Sequence, residues 1–388
     1  MARVILPDAP WRRRQGLIHL AEVLGPGDAR FVGGAVRDTL LGIDVADVDI
    51  ATRHSPKTVL DLLEAARIKA IPTGLAHGTI TAVSDGIPVE VTTLRRDVAT
   101  DGRHATVAFT DDWRKDAARR DFTINALYAD PATGEVFDYF GGLDALKARR
   151  VRFIGDPLTR IAEDHLRILR FFRFLARFGD APDVEGLAAC TARTNDLMAL
   201  SRERIRDELL KLLVAPGAVA VMRLMIAHGI LLPVLPEIDP SGVERLAALV
   251  DREPEPDALR RLVALLPDPA AVESVGARLK LSNAQRKRVA AAALPASGSP
   301  REMGFRLGVE AASDRLLLAG RSTAELEDWT PPRLPVSGGT LVAMGLEKGP
   351  QVAATLHRIT DRWIAGGFTK SIDDIVAEEV AQALRSHK

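Results

Sequence analysis

The sequence predicts an α+β chain, an α/β unit ending near residue 140 followed by a long helical part. Two observations carry this. Short β-branched segments broken by Gly, Pro and Asp are confined to the first part. From Leu143 onward those signals nearly vanish, and Leu, Ala, Arg and Glu recur at helical spacing to the end. A third observation marks the first part as the chemical one. Gly33-Gly34 is followed closely by Asp47-Val48-Asp49.

Taken in order, residues 16–24 read as a short amphipathic helix, and 30–32 and 48–52 as strands. Residues 58–66 have helical period, and 68–72, 79–84 and 89–94 have strand character. The helical part has soft breaks at 239–242, 295–300 and 331–339. The expected domains are a catalytic head over 1–140, a helical neck over 141–215, and a helical body and tail over 216–388.

Of the 388 residues, 47% are hydrophobic and 27% charged, as in ordinary globular proteins. Formal net charge is zero, which argues against a uniformly basic nucleic-acid coat but not against local patches. Arginine outnumbers lysine, and its flat fork suits phosphates and base edges. With one cysteine, Cys190, an intrachain disulfide and a cysteine-rich zinc site are both excluded. A reducing cytoplasm fits. No apolar run is long enough to span a bilayer, and residues 1–11 do not resemble a secretory signal.

On a strand, side chains at i and i+2 share a face. Asp47 and Asp49 would therefore sit side by side, repelling each other unless a cation lies between them. Hard oxygen ligands of this kind suit Mg²⁺ shared with substrate phosphates. Glu90, between Val89 and Val91, would add a third acid if its strand lies beside the first; it could equally be an edge-strand charge. In the run 119–126, Arg120 can fork onto a phosphate, although the run could also be a capped helix start. Read as one helix, residues 160–177 put Asp164, Arg167, Arg170, Arg173 and Arg177 on one broad side. One acid does not offset that many arginines, which favours an anionic partner. Arg202, Arg204 and Arg206 could face RNA or simply solvate a helix.

These pieces, in this order, resemble the bacterial and eukaryotic class of tRNA nucleotidyltransferases and the related bacterial poly(A) polymerases. Both belong to the polymerase-β-like nucleotidyltransferase superfamily. The resemblance rests on the Gly-Gly-x-Val-Arg-Asp form at Gly33 to Asp38, on Asp47-Val48-Asp49, and on Val89-Glu90-Val91. It rests equally on the block Arg119 to Ala126, on Glu163-Asp164-x-x-Arg167, and on a similar tail around 335–350. It covers nearly the whole chain. It implies a polymerase-β-like head with a small mixed sheet, followed by an all-α neck, body and tail.

It also implies roles. Asp47 and Asp49 would bind Mg²⁺, with Glu90 as the third catalytic acid. Gly34, Arg37 and Arg120 would contact the triphosphate. Asp164 and Arg167 would read the base, with Arg170 and Arg173 in support. The implied reaction is template-independent addition of C, C and A to the 3′ end of tRNA from CTP and ATP by two-metal nucleotidyl transfer, with pyrophosphate leaving. A poly(A) polymerase, a partial tRNA nucleotidyltransferase and a non-catalytic RNA-binding protein remain alternatives. The polar stretch 95–105 is expected to be a mobile loop of the kind found in enzymes that add the terminal A, with His104 a loop contact.

Base selection follows from donors and acceptors. A carboxylate only accepts and a guanidinium only donates. Cytosine and adenine each place an amino donor beside a ring-nitrogen acceptor, which suits Asp164 beside Arg167. Uracil and guanine reverse that order and would leave buried groups unpaired.

Overall fold

The computed structural model describes residues 3–101, 104–369 and 371–385, without side chains over 97–107. The chain forms two compact units, 1–240 and 241–388.

The first unit opens with α1 (Gln15–Leu24), β1 (Ala29–Val32), α2 (Gly34–Leu40), β2 (Asp49–Thr52) and α3 (Pro56–Ala65). Ser55 caps α3 by accepting from the Thr58 amide, and Pro56 supplies a preset φ at its first position. Then come β3 (Lys69–Gly74), β4 (Thr79–Ser84), β5 (Ile87–Thr93), β6 (Arg95–Asp101), β7 (His104–Phe109), α4 (Trp113–Ala118), β8 (Leu127–Ala129) and β9 (Val136–Asp138). Strand order in the main sheet is β3-β4-β5-β2-β1-β8-β9. β2 and β5 run parallel and the other neighbours antiparallel, so the sheet is mixed as expected. The β2–β5 register pairs Asp49 with Glu90, which seats the third acid beside the Asp-x-Asp.

Two departures from the sequence reading lie here. The expected loop over 95–105 is largely a two-stranded ribbon, β6 with β7, carrying a register shift between Asp97 and Ala99. Its β-branched residues favour strands despite the polar composition. The side chain of His104 lies outside the described residues. The short pair β8–β9 gave no strand signal beyond the turn-forming Asp130 to Gly134 between them.

Helices α5 (Gly142–Lys147), α6 (Pro157–Glu163), α7 (Leu166–Phe178), α8 (Val184–Ala192), α9 (Arg202–Leu213) and α10 (Ala218–Ala227) complete the unit. Phe122 packs against Phe153, Phe171 and Phe174, with ring centroids 4.9 to 6.3 Å apart. This aromatic core fixes α7 against the Arg119–Ala126 block and so brings two distant sequence motifs together.

The second unit runs from α11 (Pro240–Val250) through α12 (Ala258–Leu265), α13 (Pro269–Arg278), α14 (Asn283–Ala292), α15 (Pro300–Leu307) and α16 (Val309–Leu318). It ends with α17 (Gly338–Ala343), α18 (Pro350–Ala365) and α19 (Ile372–Arg385). Several charges there are paired: Arg260 and Arg288 converge on Asp314, and Arg261 on Glu253. The C-terminal helices close over Leu341, Ile359, Trp363, Ile375 and Val380. Among the described residues, no helix is long and apolar enough to cross a membrane.

Candidate active site

A cavity of about 520 Å³ in the first unit gathers Gly34, Arg37, Asp49, Arg120, Asp164, Arg167 and Arg170. Seven of the ten residues given catalytic, metal or nucleotide roles from the sequence thus line one space. Asp47, Glu90 and Arg173 lie outside its lining.

One wall is the β1–α2 turn. Gly33 has φ +68, a backbone region that a side chain rarely adopts, and α2 starts directly after it. A Cβ there would lie 3.5 Å from the Arg120 guanidinium. Arg37, one turn into α2, is only 6% exposed. Its Nε donates to Asp38 at 2.7 Å and its Nη1 to the Asn125 side chain. The guanidinium also lies 4.1 Å from the Phe178 ring centroid. Burial lowers its pKa from the ordinary value, with Asp38 opposing.

The acids stand beside that wall. β2 begins at Asp49, so Asp47 lies just before the strand rather than within it. Asp49 is open to solvent, yet protein surrounds it closely enough to desolvate it. Its pKa rises to about 6, first through desolvation and then through the charges of Glu90 and Asp47, against Arg120. Among the described residues, no hydrogen bond or ion pair engages the side chains of Asp47, Asp49 or Glu90. Nor do three His, Cys, Asp or Glu side chains, among the described residues, form a closed metal-binding group. An open set of hard carboxylates fits a cation that draws its other ligands from water and substrate phosphate.

Arg120 is held from behind. Asp116, 1% exposed, accepts from Arg119 Nε at 2.8 Å, Arg120 Nη2 at 3.3 Å and the Tyr128 hydroxyl at 2.7 Å. Burial alone would raise the Asp116 pKa, but Arg120, Arg119 and the Tyr128 hydrogen bond outweigh it and hold it at about 2. The sequence reading missed Asp116, although its place three and four residues before Arg119 and Arg120 on a helix is a usable signal.

The far wall corrects that reading. Residues 160–177 are not one helix: α6 ends at Glu163, and Asp164 is extended at φ −152 before α7 begins. The Asp164 carboxylate accepts from the Leu166 amide at 3.1 Å, a local bond that competes with helix continuation. Nor are the arginines of α7 left to repel one another. Arg170 pairs with Asp121 at 2.6 Å, Arg173 with Glu208 at 2.5 Å and Arg177 with Asp38 at 3.6 Å. The answering acids come from other elements, which local spacing cannot reveal. Arg167 donates to Glu163 and to the Arg160 carbonyl, the latter at 2.8 Å. Arg204, read from sequence as a candidate RNA contact, lines the cavity and grips Asp164.

Asp121 links the two walls. It accepts from Asn125 Nδ2 at 3.1 Å, from the Phe122 amide at 2.9 Å and from Arg170 Nε at 2.7 Å. A chain of hydrogen bonds therefore runs Arg37–Asn125–Asp121–Arg170.

Comparison with known proteins agrees with this layout. Residues 29–152 match the poly A polymerase head domain, and residues 183–241 match the probable RNA and SrmB-binding site of polymerase A. Over 388 residues the chain is 35% identical to the mitochondrial CCA tRNA nucleotidyltransferase 1 of Danio rerio, spanning 93% of this chain and 90% of that one. The chain belongs to the CCA tRNA nucleotidyltransferase family. The Homo sapiens member is 34% identical over 377 residues, spanning 90% of this chain and 86% of its own. The crystal structure of the Bacillus stearothermophilus CCA-adding enzyme in complex with CTP superposes with a TM-score of 0.79 at 28% identity. The match covers 96% of this chain and 98% of that one. The family thus shares the head and the helical remainder, and both walls of the cavity lie within the part it shares.

Proposed function

We propose that this chain adds C, C and A to the 3′ end of tRNA from CTP and ATP without a nucleic-acid template. The observation that carries this reading is one cavity holding both a carboxylate–arginine pair able to read a base edge, Asp164 and Arg167, and the phosphate-directed groups Gly34, Arg37 and Arg120 beside Asp49. A triphosphate bound at the α2 N-terminus is neutralised by Arg37 and Arg120, whose positions Asn125 and Asp116 fix. The base then extends toward Asp164 and Arg167, with Arg170 and Arg173 holding α7 in place.

The terminal 3′ hydroxyl oxygen attacks the α-phosphorus, forming the new ester bond. The bond from the α-phosphorus to the bridging oxygen breaks, and pyrophosphate leaves with that electron pair. Glu90, solvent-open and paired in register with Asp49, is assigned the hydroxyl proton. Asp47 and Asp49 would hold Mg²⁺, which when bound supplies Lewis-acid activation of the hydroxyl and charge neutralisation on the phosphates. We further assign the head to residues 1–140, the neck to 141–215 and the tRNA-binding body and tail to 216–388. A cytoplasmic setting fits the single buried cysteine.

The test is a tRNA transcript ending before CCA, incubated with Mg²⁺ and CTP, ATP or both and resolved on a sequencing gel. Two residues added with CTP and three with both nucleotides are expected. A long ladder with ATP alone would instead mean a poly(A) polymerase, and no extension with any mixture would point to a binding protein.

A further inference from the structure

We infer that Arg204 is a positioning residue for nucleotide selection: it holds the Asp164 carboxylate in the one orientation that distinguishes C and A from U and G. This rests on the base-reading role proposed for Asp164.

Asp164 sits outside both helices, in the extended break between α6 and α7. An aspartate there would turn freely about its side-chain bonds. An ionised carboxylate that rotates, or that shifts by an ångström, no longer sets a fixed acceptor against a base edge. Two contacts stop the rotation. The Leu166 amide donates to Oδ1 at 3.1 Å. Nη2 of Arg204, reaching across from α9, donates to Oδ1 at 3.0 Å and to Oδ2 at 2.8 Å.

The count of acceptor sites is informative. A carboxylate offers about four lone-pair directions, two on each oxygen. The Leu166 amide and the Arg204 nitrogen occupy both directions on Oδ1 and one on Oδ2. One acceptor direction remains, on Oδ2, and Asp164 faces the cavity. Cytosine and adenine each bring one exocyclic amino group to such an edge; uracil and guanine bring a carbonyl. Selection between them therefore depends on the orientation of a single oxygen, and Arg204 is the side chain that sets it. Arg204 and Asp164 are both about a quarter exposed, so the pair is reachable by a ligand yet partly shielded from water.

Both Arg204 contacts come from a single nitrogen, which shapes the test. A lysine ammonium can place one nitrogen there, whereas methionine keeps the packing of the stem and removes the donor. The experiment measures kcat/KM for CTP and for UTP on the tRNA transcript, in the full-length enzyme and in Arg204→Met, Arg204→Lys and Asp164→Ala. Expected are a CTP-over-UTP preference about tenfold to a hundredfold lower in Arg204→Met and largely restored in Arg204→Lys. A residue that only supported the fold would lower both rates together and leave their ratio unchanged. An unchanged ratio in Arg204→Met alongside a collapsed ratio in Asp164→Ala would overturn the role of Arg204 alone. An unchanged ratio in both would overturn the base-reading assignment and this inference with it. Circular dichroism and Tm on each variant separate a loss of selection from a loss of fold; if Arg204→Met does not fold, the Lys variant still decides, since a preference lost despite the retained nitrogen contradicts the single-nitrogen argument.

Discussion

On the catalytic side of the cavity, Asp49 lies beside Glu90 and Asp47 with its pKa raised to about 6, first by desolvation. On the base-reading side, each charge has an opposite within reach: Asp164 with Arg204, Arg167 with Glu163, Arg170 with Asp121, Arg173 with Glu208. The two sides differ because they do different work. Clustered carboxylates without an ion-pair partner store an electrostatic demand that an incoming cation satisfies. Paired charges are already satisfied and contribute shape, which reading a base requires. Breaking a charge on the two sides should therefore have opposite effects on stability.

The largest effect is expected in activity. Asp49→Ala should lower kcat for CTP addition by about a thousandfold or more, roughly 4 kcal/mol of barrier. Single-turnover extension of the tRNA transcript measures it, and a variant within tenfold of wild type would remove Asp49 from the chemistry.

The next effect is in stability, on the paired side. Asp121→Ala leaves the Arg170 guanidinium partly buried with its nearest carboxylate gone, and cuts the link from Asn125 to α7. Loss of one member of a buried pair costs about 3–5 kcal/mol. Urea unfolding should show a loss of unfolding free energy of that size; a loss under about 1 kcal/mol would mean that Arg170 finds Glu208 instead, now 3.8 Å away.

How much of this was legible in the sequence follows the same division. The Gly-Gly turn, the Asp-x-Asp and the Arg-Arg block are local, and strand residues 79–84 match β4 because alternation and turn signals are local too. Asp121 fell in a run that could be read as a capped helix start, because its partner Arg170 is assigned by packing rather than by spacing; Asp116 was not singled out, although its partners Arg119 and Arg120 stand at helical spacing. The break at Asp164 was hidden, since helical periodicity continues across it while the residue itself is extended and its carboxylate accepts from the Leu166 amide. Arg204 meets Asp164 from 40 residues away, and no local pattern records that pairing.

The Asp116 pKa is depressed from its ordinary 3.8 to about 2. A depressed carboxylate contributes stability that is present above its unfolded value and lost as pH falls through the folded one. The Asp116 contribution, about 2 kcal/mol, should therefore be complete above pH ~5 and fade between pH ~4 and ~2. Denaturation of wild type and Asp116→Asn at pH 7 and pH 3 tests this. A gap that fails to narrow at pH 3 would mean that the hydrogen bond to Tyr128, rather than the charge, carries the stabilisation.

The smallest effect has the opposite sign and separates the two sides most sharply. Because the Asp49 pKa is raised, the folded state disfavours the ionised carboxylate. The cost begins near pH 4, where the unfolded chain ionises, and is complete above about pH 6, where the folded one has ionised as well. Asp49→Asn removes the charge while keeping the shape. In the metal-free protein it should therefore raise stability at pH 8 by about 1 kcal/mol or less, since solvent screens this open site. That corresponds to a Tm gain of about 2–4 °C, fading toward pH 4. Added Mg²⁺ should raise the Tm of wild type and not of the variant, closing or reversing the gap, because a cation answers the repulsion that the substitution removes. A variant less stable than wild type at pH 8 without metal would show that the acids are already compensated within the chain, and the contrast between the two sides would fall with it.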